Sequence, residues 1–356
     1  MNIHVYVEQL ATQGRGTLAR AVDYLPTPIQ RGLVKLLPYP YAYPSLDPTL
    51  SCMLALQYAQ GQRGFLSGDL KQSRQAFEQQ MQLLVCKPTF IPHVQDLRLP
   101  LPSGTIAARH YHPQPKKKLP MLVFYHGGGF ISGSISTHDE ACRLFAKSLN
   151  MQIISVQYPL APEASPKQLI QACNEALQWV YYNRRQLNIY KGRIAIAGDS
   201  AGGNICAVLA QQTIGQAYAP QAQWLIYPAL DFKQHYPSAD TYAHGLVLTT
   251  EDVQQVKTLY AQRHQMELDD PLISPIYADV SAQLPPACIV TVGHDILHDE
   301  AELYAQKLKA QGCRVQYLNY TEQTHGFINL TTVSKQAKKR SIEMALNFKK
   351  FWRQCR

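Results

Sequence analysis

Short apolar runs alternate with longer helical stretches through most of this chain, beginning near Pro88. Residues 121–125, 152–156, 193–197, 222–227, 287–292 and 314–320 are mostly apolar and five to seven residues long. Such runs fit strands buried on both faces. Helices are expected near 138–149 and 167–182 and again over 204–210, between the strand candidates. Upstream, 94–99 and 106–111 flank Pro102-Ser103-Gly104-Thr105, a hairpin signal. Repeated strand–helix alternation predicts an α/β fold with a mainly parallel central sheet and helices on both faces.

Two parts break the rhythm. Residues 1–88 read as a polar-rich helical segment interrupted by prolines from Pro26 to Pro48. Within it Leu54, Tyr58, Phe65, Leu66, Leu70, Phe77, Met81 and Leu84 mark the apolar faces of two helices. The stretch from about 231 to 284 is long and proline-spotted, with a helical piece near 251–263. The expected organisation is an N-terminal helical segment, 1–88, followed by a catalytic α/β domain, 89–356, that carries an insertion at about 231–284. Segment and insertion together are expected to fold over the carboxyl ends of the strands as a helical cap. No internal repeat is present.

Composition narrows the setting. Of the 356 residues, 46% are hydrophobic and 17% charged, which fits a globular protein with a large core. No apolar run reaches the roughly eighteen residues of a membrane span. The N-terminal stretch lacks the basic and apolar regions of a secretory signal, so a cytoplasmic location is expected. Eight scattered cysteines without a C-x-x-C pair predict reduced thiols and not a disulfide framework. The net charge of +9 gathers partly in Lys116-Lys117-Lys118 and in a cluster at 335–340. Solvated faces explain it, and weak contact with an anionic membrane surface is the sharper alternative. Without a zinc finger or RNA-binding signature, no nucleic-acid partner is expected.

The chemistry centres on Gly198-Asp199-Ser200-Ala201-Gly202, where the strand at 193–197 hands over to a helix. Chance alone supplies G-x-S-x-G in about one chain of this length in ten, so other residues must decide. A serine at the apex of so tight a turn presents its hydroxyl outward, and glycines two residues to either side let strand and helix crowd together. A nucleophile needs a base, an orienting acid and donors for the oxyanion. Serine, acid, histidine is the chain order this topology requires. His325 is the best base, in a loop after the last strand. Asp295 emerges from the strand ending at Val292-Gly293 and is the best acid. Asp299 and Glu300 compete with it, but Asp299-x-x-Glu302 reads as a helix start with a capping side chain. The run His126-Gly127-Gly128-Gly129-Phe130 follows a strand, and its N–H groups can turn toward a substrate oxygen. The N–H of Ala201, at the positive end of the following helix, is a further donor. No nucleotide-binding glycine pattern accompanies these residues, and no cofactor is expected. His294-Asp295-Ile296-Leu297-His298 imitates the H-E-x-x-H zinc motif. Its first histidine directly follows a strand, whereas that motif needs both imidazoles on one helix face.

Five motifs occur in order: His126-Gly127-Gly128-Gly129-Phe130, Tyr158-Pro159-Leu160-Ala161-Pro162-Glu163, Gly198–Asn204, Tyr227-Pro228 with Asp231, and Asp295–Glu300 with His325-Gly326-Phe327. In these the chain resembles the hormone-sensitive-lipase-like branch of the α/β-hydrolases, a family of capped carboxylesterases, from about Arg98 to the C-terminus. The resemblance implies Ser200 as nucleophile, His325 as base, Asp295 as its partner, and Gly128, Gly129 and Ala201 as oxyanion donors. It implies that His126 shapes the glycine loop without moving protons, and that the substrate is a small-molecule ester of short to medium acyl chain. Ile296 stands where the family has proline and Pro159 where it has arginine, which bears on loop shape and not on a reacting group. An amidase or deacetylase would use the same triad. A zinc hydrolase using His294 and His298, or an inactive binding relative, are the readings from other classes.

Overall fold

Each apolar run becomes a strand whose two faces meet different helices. The computed structural model describes residues 19–66, 69–85, 87–279 and 281–355. Before the sheet, a helical stretch at 19–23 is followed by α1 (Thr27–Leu36), α2 (Pro48–Ala59) and α3 (Leu70–Leu84). The sheet opens with the hairpin β1 (His93–Leu101) and β2 (Gly104–His112), then β3 (Leu119–Tyr125). There follow α4 (Asp139–Leu149), β4 (Gln152–Val156), α5 (Pro166–Tyr182), β5 (Ile189–Asp199), α6 (Ala201–Gln212) and β6 (Gln223–Ile226). Two short helices, α7 (Pro237–Thr241) and α8 (Thr250–Val256), lie before β7 (Ala287–His294), α9 (His298–Ala310), β8 (Val315–Thr324) and α10 (Lys335–Gln354).

The eight strands lie in the order β1-β2-β4-β3-β5-β6-β7-β8. The β1–β2 and β2–β4 pairs are antiparallel and all later pairs parallel. Strand alternation sorts the core into two layers. Met121, Val123, Tyr125, Ile194 and Ile196 face the layer built with α5, α6 and α9. Leu122, Phe124, Ala195 and Ala197 face the one built with α4 and α10. Parallel strands therefore show no polar face in the sequence, because neither face meets water.

Two local expectations need correction, and a third, the helical piece at 251–263, gains detail. The strand at 193–197 begins earlier, at Ile189, because Leu119 pairs with Ile189 across a register shift before Met121 meets Ile194. The helical piece at 251–263 changes type: after α8 it widens into a π-turn at Lys257–Ala261 and tightens at Gln262–His264. The wide turn carries Tyr260 onto Phe130, with ring centroids 3.9 Å apart. Asp299 does not cap its helix. The N-cap is Leu297 without a side-chain bond, and the Asp299 carboxylate accepts the Ser238 amide at 2.8 Å instead. The expectations for residues 1–18 and Cys86 fall outside the described residues. The other seven cysteines are free thiols.

The N-terminal helices and the stretch after β6 pack on each other above the sheet. Leu50, Met53, Leu54, Met81 and Leu84 share one apolar cluster with Leu246 and Val333. Tyr39 and Tyr43 donate to the Gly245 and His244 carbonyls at 2.6 and 2.7 Å. Arg74 of α3 reaches the loop after β3 through the Ile131 carbonyl, and pairs with Glu163 at 2.8 Å.

Where the chain leaves β6, a buried acid holds it. Glu300 Oε1 accepts the Leu230 amide at 2.6 Å and the Asp231 amide at 3.4 Å. Burial pushes the Glu300 carboxyl well above the usual carboxylate range, and the neighbouring Asp231 adds to the rise. The folded protein then holds a proton that the unfolded chain has released, so this contribution is full at acid pH and fades as pH rises toward the folded pKa. Glu300→Gln keeps the carbonyl acceptor without the charge. Thermal unfolding across pH 5 to 8 is expected to show the variant's Tm rising relative to the parent's as pH increases.

Candidate active site

Ser200 joins β5 to α6 in a backbone conformation that side chains rarely adopt, φ +55° and ψ −119°. Its neighbours hold it there: the Ser200 amide donates to the Ile226 carbonyl at 2.8 Å, and the Ser200 carbonyl accepts from Asn204 at 3.1 Å. Strain of this kind persists only where the surroundings over-determine it. The turn is this tight because a Cβ on Gly202 would fall on the Tyr125 carbonyl oxygen at the end of β3. Only glycine allows α6 to start so close to the sheet.

The loops after β7 and β8 bring Asp295 and His325 to this serine. His325 Nε2 lies 2.9 Å from Ser200 Oγ, and His325 Nδ1 lies 2.7 Å from Asp295 Oδ2. Asp295 Oδ1 accepts the Leu297 amide at 3.0 Å. A carboxylate can only accept, so Nδ1 carries the proton and the Nε2 lone pair faces the serine hydroxyl. All three side chains are buried, and Tyr227 packs its ring 4.6 Å from the imidazole of His325.

The glycine loop after β3 meets the elbow because β3 and β5 are neighbours. Asp199, beside the serine, accepts the Gly127 amide at 2.9 Å and pairs with His138 Nε2 at 3.2 Å. Burial pushes the Asp199 carboxyl up, but His138 and the Gly127 amide outweigh it and the net shift is downward, so the group stays charged. Gly128 takes φ +120°, and a Cβ there would strike the Ser132 carbonyl. Among the described residues the amides of Gly128, Gly129 and Ala201 find no protein acceptor. His126 lies behind the loop, its ring 4.3 Å from that of Tyr158 and its Nδ1 bonded to the Gly127 carbonyl at 2.8 Å. Burial, followed by the nearby His138, pushes its pKa down to about 3, so it is neutral at working pH.

The two other late histidines stand apart. His294 closes β7 and contacts Ser45 Oγ at 3.1 Å, while His298 opens α9 and bonds the Val292 carbonyl at 2.9 Å. They do not share a helix face. Among the described residues no three His, Cys, Asp or Glu side chains are arranged to hold a metal ion. Above the serine lies a cavity of about 290 Å³. Met53, Leu54, Phe77 and Met81 line it from the N-terminal side, Leu246 and Leu330 from the other.

Sequence reasoning missed Asp199, His138 and Asp252. Asp199 sat inside the serine motif, but its partners at Gly127 and His138 are 72 and 61 residues away. Asp252 is buried, caps α8 through Thr249, and accepts the Phe65 and Leu66 amides at 3.1 and 2.8 Å. An acid three residues after Thr249 was a readable capping signal. Its grip on residues 65 and 66 was not.

A mostly parallel sheet with a serine on a strand-to-helix elbow defines the hydrolases of α/β fold. Residues 122–329 match the family model described as alpha/beta hydrolase fold, and the chain belongs to that family. It is 35% identical over 317 residues to the carboxylic ester hydrolase LipN of Mycobacterium tuberculosis, covering 87% of this chain and 84% of that one. It is 30% identical to the ethyl acetate hydrolase of Pseudomonas putida, covering 82% and 95%. Among solved structures, the hyperthermophilic esterase of the archaeon Pyrobaculum calidifontis superposes with a TM-score of 0.80 at 35% identity, over 86% of this chain and 98% of that one.

Asp252→Ala leaves the Phe65, Leu66 and Thr249 amides without their acceptor, and each such amide left buried costs about 1–3 kcal/mol. Urea unfolding is expected to show a stability loss in that range or above. The KM for a medium-chain ester is expected to rise, because the loop bearing Phe65 borders the cavity.

Proposed function

We propose that the chain is a serine carboxylesterase that cleaves small esters of short to medium acyl chain through an acyl-Ser200 intermediate. The observation that carries this reading is the Asp295–His325–Ser200 relay with distances of 2.7 and 2.9 Å. The names of the Mycobacterium and Pseudomonas relatives, an ester hydrolase and an ethyl acetate hydrolase, support the substrate class. Ser200 Oγ attacks the ester carbonyl while His325 Nε2 takes its proton. Asp295 keeps the imidazole oriented and stabilises the imidazolium. The oxyanion forms against the amides of Gly128, Gly129 and Ala201, and removing one such donor typically costs about 3–4 kcal/mol in the transition state. His325 returns the proton to the departing alcohol. Water, deprotonated by the same histidine, then attacks the acyl carbonyl and releases the acid and the serine.

The N-terminal segment and the 231–284 stretch act as the cap of this site, and their apolar side chains receive the acyl chain. A cavity of about 290 Å³ stands at the small end of ligand pockets, which favours short and medium chains over long ones.

Ser200→Ala is expected to lower kcat by roughly 10⁴-fold or more while circular dichroism stays unchanged. Retained turnover in a contaminant-free preparation would remove Ser200 from the mechanism. Across p-nitrophenyl esters, kcat/KM is expected to peak between acetate and octanoate and to fall steeply by palmitate. Leu54→Trp, which fills the apolar end of the cavity, is expected to move that optimum toward acetate. A maximum at palmitate would overturn the chain-length assignment.

A further inference from the structure

The edge of the sheet opposite the active site is built from segments of one charge sign. Ser200, Asp295, His325 and the glycine loop all follow the carboxyl ends of parallel strands. The segments that enter those strands therefore lie at the other edge: 113–118 into β3, 183–188 into β5, 213–222 into β6, 281–286 into β7 and 311–314 into β8. The register shift in β5 leaves residues 190–193 bulged at the same edge. Contacts of Arg193 with Trp352 and of Arg314 with Gln354 bring the C-terminal end of α10 there too. Together with residues 349–355 these segments hold eleven Lys and Arg residues and no Asp or Glu. That exceeds the net charge of the whole chain, +9.

Lys116, Lys117, Lys118, Arg185, Lys191, Lys350 and Arg353 are exposed. Lys118, Arg184, Arg185 and Asn188 line a depression in this edge. Tyr182 and Tyr190 stand among them, 66% and 41% exposed. Exposed tyrosines interleaved with basic residues on loop tips suit the headgroup layer of a bilayer, where an apolar ring and a hydroxyl tip are both satisfied. We propose that this edge docks on a phospholipid bilayer carrying net negative headgroups, with the catalytic mouth facing away from it. A nucleic-acid surface fits less well, since only the C-terminal end of α10 reaches the edge and the ring of Tyr181 beside Tyr182 is already covered by Arg184 at 4.1 Å.

Co-sedimentation of the full chain with vesicles tests the assignment. At about 0.1 M salt the protein is expected to pellet with mixed phosphatidylcholine–phosphatidylglycerol vesicles and to remain in solution with phosphatidylcholine alone. At about 1 M salt, where the screening length falls from about 10 to 3 Å, the binding is expected to vanish. Lys116→Gln/Lys117→Gln/Lys118→Gln and, separately, Arg185→Glu/Lys191→Asn are each expected to lower the partition coefficient by about tenfold or more. Both are expected to keep the parent's kcat/KM on a soluble p-nitrophenyl ester. Failure of the parent to pellet with anionic vesicles at low salt overturns the proposal, as does equal binding to neutral vesicles or undiminished binding by both variants. Binding of a single-stranded oligonucleotide without vesicle binding would assign the edge to a different partner and equally overturn it.

Discussion

The close approach of α6 to the end of β3 is the constraint on which the site depends. Glycine at 202 lets the first turn of α6 press on the Tyr125 carbonyl, and this forces Ser200 into its strained conformation. Because β3 and β5 are paired, the same approach brings the glycine loop against the elbow. Asp199 locks the two together by holding the Gly127 amide while His138 holds Asp199. The placement of Ser200 and that of the glycine loop are thus two consequences of one packing contact.

The order of the remaining strands completes the arrangement. β6, β7 and β8 add in parallel beyond β5, so the loops carrying Asp295 and His325 rise on one side of the serine. None of these side chains is fixed by neighbours in sequence. Asp295 is braced by the Leu297 amide, His325 by Asp295 and the Tyr227 ring, and the cavity above by helices more than a hundred residues upstream. The sheet also separates the two ends of the molecule: an apolar cavity lies at the carboxyl ends of the strands, and concentrated positive charge at their amino ends.

Much of this was readable in the chain, for identifiable reasons. Fully buried parallel strands leave uninterrupted apolar runs, which is why β4 was legible to the residue. Ser200, Asp295 and His325 were legible because chemistry limits which residue types can serve and topology limits their order. The early start of β5 was not, since Ile189 joins the sheet only through pairing with Leu119. Nor was the role of Asp299, whose spacing mimicked a cap while its carboxylate bonded Ser238, 61 residues away.

By itself the sequence determined the α/β class, the hairpin, the elbow and the identities of the three relay residues, because each follows from local pattern or from scarce chemistry. Only the tertiary structure decided what surrounds them. Asp199 and His138 behind the glycine loop and Asp252 gripping residues 65 and 66 each join segments 60 or more residues apart, and the basic edge at the foot of the sheet gathers segments from across the chain. Buried hydrogen bonds and summed charge depend on distance in space, and the chain sets that distance only once it has folded.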